Sequence, residues 1–187
     1  MTVPGTFDTS ARELIHAGLQ NLDEARSLFR QLSASGFDAA RCGLLLDALQ
    51  HVCDPDVALR NLVDIVNAQV SQGRALDDIM PDDTAFRQLV AVLGVSDAMG
   101  KLMRFRPDLV QAAATDHCNS HLYNHDQRRA HVLESVGADP NDRMSPTATM
   151  DLADAATALR RTYRNQLAAI IAQDTMSDDP IALQPRI

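Results

Sequence analysis

DLADAATALRRTYRNQLAAIIAQD, residues 151–174, decides the fold. Leu152, Ala156, Leu159, Tyr163, Leu167 and Ile170 recur at spacings of three and four, which puts them along one side of an α-helix. Arg161 falls on the opposite side, and Arg160 and Arg164 flank the stripe one turn apart. An apolar stripe is costly to leave wet, so the helix is expected to pack on the rest of the chain. Tyr163, Leu167 and Ile170 are expected to bury there or against a following domain. The arginines read either as a solvated outer face or as a docking surface for an acidic partner or for the next domain. Beyond the helix, Asp179-Pro180 has the form of another helix start, an Asp cap followed by Pro. The apolar run Ile181-Ala182-Leu183 then has almost no room before Ile187. The expectation is a piece of a longer protein.

Upstream, the same helical rhythm continues. Leu22, Ala25, Leu28, Phe29 and Leu32 form a stripe that opens with Asp23 and Glu24, acids suited to a helix N-terminus, and closes at Gly36. Asp38 caps a run with Leu45, Ala48, Leu49 and Val52. Asp54-Pro55 starts a longer run through Ala58, Leu59, Leu62, Ile65, Val66 and Val70, which ends at Gly73. After a loop around Asp77–Pro81, Asp82 or Asp83 opens a helix with Phe86, Leu89, Val90 and Leu93, closed by Gly94. Ser96 caps a shorter helix with Met99, Leu102 and Met103, and Pro107 begins a further turn or two around Leu109 and Val110. From Thr115 the pattern weakens, leaving one modest helix near Asp126–Val136 and a turn-rich loop, GADPNDRMSPT. No hairpin dipeptide separates alternating strands.

The expected fold is all-α, an irregular bundle of about 7–9 helices with a long C-terminal helix. Residues 1–114 form its helical body. Residues 115–150 are a polar connecting segment with one short helix. Residues 151–187 hold the long helix and the start of a truncated element.

Composition agrees. Apolar residues make up 45% of the chain but aromatics only 4%, with no Trp, so the core must be aliphatic, which suits helix-on-helix packing. A net charge of −8 works against general attraction to nucleic acid or anionic membrane. No apolar run reaches the roughly 20 residues a spanning helix needs, and the N-terminus has neither the basic start nor the apolar stretch of a secretory signal. Three cysteines without a CxxC pair argue against a disulfide framework and for a reducing cytoplasm. Cys42 and Cys53 read as small buried hydrophobes.

Candidate chemistry is sparse. His117, His121 and His125 are spaced by four, and Cys118 precedes His121 by three, so Cys118, His121 and His125 are the weak candidates for a zinc site. A fourth ligand is missing, and Asn119-Ser120 and Tyr123-Asn124 are poor helix formers. A polar segment with surface histidines is the plainer reading. There is no GxSxG elbow and no glycine-rich phosphate loop. Asp54, Asp56, Asp82, Asp83 and Asp97 sit where helix starts want acids.

Three stretches occur in order: DPDVALRNLVDIV (54–66), FRQLVAVLGVSDAMGKLMRFRPDLV (86–110) and ALRRTYRNQLAAIIAQD (158–174). In these the sequence resembles the N-terminal region of bifunctional glutamine-synthetase adenylyltransferase/adenylyl-removing enzymes. AGLQNLDEARSLFRQL (17–32) is similar to that family's opening helices. The resemblance implies a longer parent with two polymerase-β-like nucleotidyltransferase domains joined by helical regions. One half removes AMP from glutamine synthetase by phosphorolysis to give ADP. The other attaches AMP from ATP. Each would use Mg²⁺ held by carboxylates of a GGxELNxxSDxDL pattern. These 187 residues hold no such pattern. Catalytic and cofactor-binding residues are therefore expected to be absent from this chain, with Mg²⁺ and ATP/ADP belonging to the parent. Implied partners are the following nucleotidyltransferase domain in cis, glutamine synthetase and a PII signalling protein, with Arg160, Arg161, Tyr163 and Arg164 as the contact residues. The chain is expected to be a non-catalytic part of the adenylyl-removing half. The alternatives are a free-standing helical interaction module and a zinc-binding regulator.

Overall fold

The computed structural model describes residues 9–114 and 125–176. Among them, nine helices of six residues or more and one single-turn helix account for the regular structure, and no strand occurs. In order they are α1 (Ala11–His16), α2 (Leu22–Ala34), α3 (Ala39–Leu49), α4 (Pro55–Ser71), the single turn α5 (Leu76–Ile79), α6 (Asp83–Val95), α7 (Asp97–Met103), α8 (Pro107–Ala114), α9 (His125–Ser135) and α10 (Leu152–Met176).

Side-chain caps set the starts. Asp38, Asp54, Asp82 and Ser96 each accept from the backbone N–H three residues on, at 2.8, 3.0, 2.8 and 3.2 Å. This satisfies donors that a helix start leaves orphaned. Asp56 also accepts from the backbone of Gln20 and Asn21, at 3.0 and 3.3 Å, and so ties the α1–α2 turn to α4. Gly36 and Gly73 end their helices at positive φ, +103° and +76°, a conformation that costs glycine little. Two elements were not anticipated. Helix α1 is set by a capping box between Ser10 and Glu13, and α5 makes a turn of helix inside the expected loop. Gly94 does not close α6, which runs on to Val95. Gly94 is instead a packing position: a Cβ there would lie 2.8 Å from Val52 Cβ.

Helix α4 lies at the centre, in contact with α2, α3, α6 and α7. Its Leu59, Ile65 and Val66 are fully buried, as are Phe29, Leu32, Leu45, Leu49, Leu89, Leu93, Met103 and Leu109 around it, within a few per cent. Each such side chain contributes roughly 1.5–3 kcal/mol relative to remaining in water. The core is almost wholly aliphatic; Phe37 pairs with Phe86, ring centroids 6.2 Å apart. Cys42 is buried as expected, but Cys53 is exposed, because it lies in the turn between α3 and α4 and not in a helix.

Helix α10 packs on α6, α8 and α9. Ala168 and Ala172 join the main core, and Ala155 joins a small separate cluster with Val136 and Ala138.

Candidate interaction face on the long helix

Two anchors position α10. At its start, the Asp151 carboxylate accepts from Ala153 and Asp154 N–H at 2.9 and 3.0 Å. The loop before it folds back on the end of α9. Thr149 N–H donates to Val136 O at 3.2 Å, and Arg129 donates to the carbonyls of Pro140 and Asp142, both at 2.8 Å. Backbone donors from Ser145 and Met144 hold the Asp142 carboxyl below the usual carboxylate range. Further along, Gln166 donates to Arg128 O at 3.3 Å, and the alanines of the last turns seat against α6 and α8.

These anchors choose the body-facing side, and it is not the side with Leu152, Leu159, Tyr163 and Ile170. Ala155, Thr162, Ala168 and Ala172 are buried, whereas Leu152 is 87% exposed, Tyr163 65%, and Leu159 and Ile170 40% each. The helix therefore docks on the body as expected, but chiefly through small side chains, with Leu167 and Ile171 half-buried against the core beside them. Tyr163 and Ile170 do not bury there. Small side chains let the helix axis approach α8 and α6 closely, and close approach gains dispersion contacts along the whole helix.

Arg160 and Arg161 are exposed and Arg164 is half-buried. Arg161 points its charge toward α8. The Asp108 carboxyl is held below the usual range chiefly by Arg106, which donates to it at 2.9 and 2.6 Å, with Arg161 adding to the effect. Arg160 and Arg164 lie beside the exposed stripe, and among the described residues neither is in an ion pair. Arg160, Tyr163 and Arg164 thus share one surface, which Arg161 leaves for the α8 side.

Of the zinc candidates, His117, Cys118 and His121 lie outside the described residues. His125 opens α9, exposed, with Nδ1 3.9 Å from Asp126 Oδ1. Among the described residues no group of three or more His, Cys, Asp or Glu could hold a metal ion. An open cleft of about 570 Å³ lies between α9 and the following loop, lined by Asp126, Arg129, Asn141 and Arg143 among others. Its Arg129 is already committed to two carbonyls. One exposed anchor escaped the sequence reading: Phe105, 73% exposed, with the Arg104 guanidinium 5.5 Å from its ring centroid. Its signal was a Phe between two arginines directly before Pro107.

No helix of the described residues is long and apolar enough to cross a membrane. The chain is 61% identical over 181 residues, 97% of its length, to the bifunctional glutamine synthetase adenylyltransferase/adenylyl-removing enzyme of Bifidobacterium longum strain DJO10A. It is 33% identical over 168 residues, 73% of its length, to the enzyme of that name from Corynebacterium efficiens, and 28% identical over 170 residues, 90% of its length, to that of Leifsonia xyli. The match is to the N-terminal part of these proteins. The chain spans about 17% of the length of the Bifidobacterium relative. No family model matches the chain. No solved structure matches it either.

Proposed function

The chain is a homologue of the N-terminal part of bifunctional glutamine synthetase adenylyltransferase/adenylyl-removing enzymes, and from this we propose that it is the helical leader of the adenylyl-removing half of such an enzyme. The observation that carries this is the 61% identity sustained over 97% of the chain. The leader performs no chemistry itself. Its sequence lacks the GGxEL and SDxDL carboxylates that hold Mg²⁺ and orient a phosphoryl group in the resembling family. Its work is to pack against the following nucleotidyltransferase domain and set how adenylylated glutamine synthetase reaches it, in the cytoplasm. Arg160, Arg161, Tyr163 and Arg164 are the contact residues, toward that domain or toward glutamine synthetase. Mg²⁺ and ATP or ADP bind downstream, and a PII signalling protein is a partner of the longer enzyme.

The test is an assay of the purified chain with adenylylated glutamine synthetase, phosphate and Mg²⁺. No ADP above background is expected. Phosphorolysis by the chain alone refutes the reading. A reading frame that stops after Ile187 replaces it with a free-standing interaction module.

A further inference from the structure

Resting on that reading, we propose that the outward face of α10 is a helix-docking seam. Its occupant is an acid-flanked amphipathic helix from the part of the longer enzyme beyond the matched region. Leu152, Ala156, Leu159, Tyr163 and Ile170 are spaced four, three, four and seven along α10, with Gln166, between the last two, turned to α9. That is the alternation by which one helix receives the side chains of a second as knobs into holes. The seam is about 27 Å long at 1.5 Å rise per residue.

Its exposure is not a by-product of poor packing, since the reverse side of the helix is sealed by Ala168 and Ala172 at 0% exposure. A run of Leu152, Leu159, Tyr163 and Ile170 facing outward over five turns is the pattern of an interaction site, unlike the single exposed apolar residues scattered on most surfaces. Gln166 borders the seam on the body side, its amide donating to Arg128 O on α9.

Charge selects the occupant. Arg160 and Arg164 border the seam one turn apart, so the facing edge of the incoming helix carries Asp or Glu. The α10 of a second copy of this chain cannot supply that edge. Between Leu152 and Ala172 the only acid is Asp154, on the side away from the seam. The matched relatives can supply it, because this chain spans only about 17% of the Bifidobacterium enzyme.

The test uses single cysteines, Leu159→Cys and Tyr163→Cys, in a background with Cys42, Cys53 and Cys118 changed to Ser. Maleimide labelling is timed in the isolated chain and in the full-length enzyme that carries this chain at its N-terminus. Circular dichroism confirms that each variant keeps its helix content. Fast labelling in the isolated chain is expected, slowed at least about tenfold in the full-length enzyme because the reagent must wait for the seam to open. Arg160→Glu with Arg164→Glu should restore fast labelling in the full-length enzyme. Equally fast labelling of Leu159→Cys in both, with adenylyl removal intact in that variant, overturns the seam while leaving the leader function standing. Slow labelling in the isolated chain together with a dimer mass overturns it in favour of self-association. Absence of any longer reading frame overturns both.

Discussion

A Cβ added to Gly100 would lie 2.3 Å from Cγ of Asn61. Helix α7 thus rests on α4 with no room for a methyl group, while Asn61 donates to Leu93 O at 3.4 Å on α6. One buried amide therefore sits where three helices meet. Gly100→Ala is expected to lower stability by about 1–3 kcal/mol through overpacking, more than the roughly 1 kcal/mol it gains in helix propensity. Asn61→Ala removes the obstacle, so Gly100→Ala in that background should be neutral or stabilising. Urea denaturation at constant slope measures both, and a simple sum of the two single effects would show that the helices do not meet there.

The orientation of α10 makes opposite predictions for its two faces. Ala168→Leu forces a large side chain into a sealed contact and should cost about 1–3 kcal/mol. Tyr163→Ala removes a larger side chain from the exposed face and should stay within about 0.5 kcal/mol in the isolated chain. Thermal and urea unfolding of the two variants decides the matter. The reverse ranking would mean that the large apolar stripe faces the body.

Acid should weaken the start of α8, where Arg106 pairs with Asp108. The Asp108 carboxyl is held low, first by Arg106 and also by Arg161. A carboxyl depressed in the folded state stabilises the fold above its unfolded pKa of about 4, and loses that contribution as pH falls through the folded value. Stability should therefore decline below about pH 4, and Asp108→Asn should remove part of that decline while lowering stability at neutral pH. Glu13, Asp47, Asp97 and Asp142 are shifted in the same direction, so the loss in slope is partial. An unchanged slope between about pH 6 and pH 3 in Asp108→Asn would separate the carboxyl from the stability of the fold.

The helices were legible in the sequence where the signal is local. A cap is a side chain bonded to a backbone three residues away, so Asp38, Asp54, Asp82 and Ser96 could be read directly. Gly36 and Gly73 were equally plain because positive φ is a property of one residue. Gly94 misled because a glycine that ends a helix and a glycine that lets Val52 approach look alike until the neighbouring chain is in place. The face of α10 misled for a related reason. Periodicity identifies the large apolar side of a helix but not what is opposite it. Here the body offers a surface that fits Ala168 and Ala172, with Leu167 and Ile171 half-buried beside them, while Leu152, Leu159, Tyr163 and Ile170 stay exposed. The four residues proposed as contacts divide accordingly: Arg160, Tyr163 and the half-buried Arg164 lie beside the exposed stripe, whereas Arg161 neighbours Asp108. No rule of spacing could have drawn that line, because it depends on where α8 lies.

The most direct measurement is made on the full-length enzyme with and without residues 1–176, assaying both activities on glutamine synthetase. If these helices serve the adenylyl-removing half, their deletion should abolish or sharply reduce ADP formation from adenylylated glutamine synthetase while AMP attachment from ATP continues. Undiminished adenylyl removal by the shortened enzyme, folded and pure, would contradict that role.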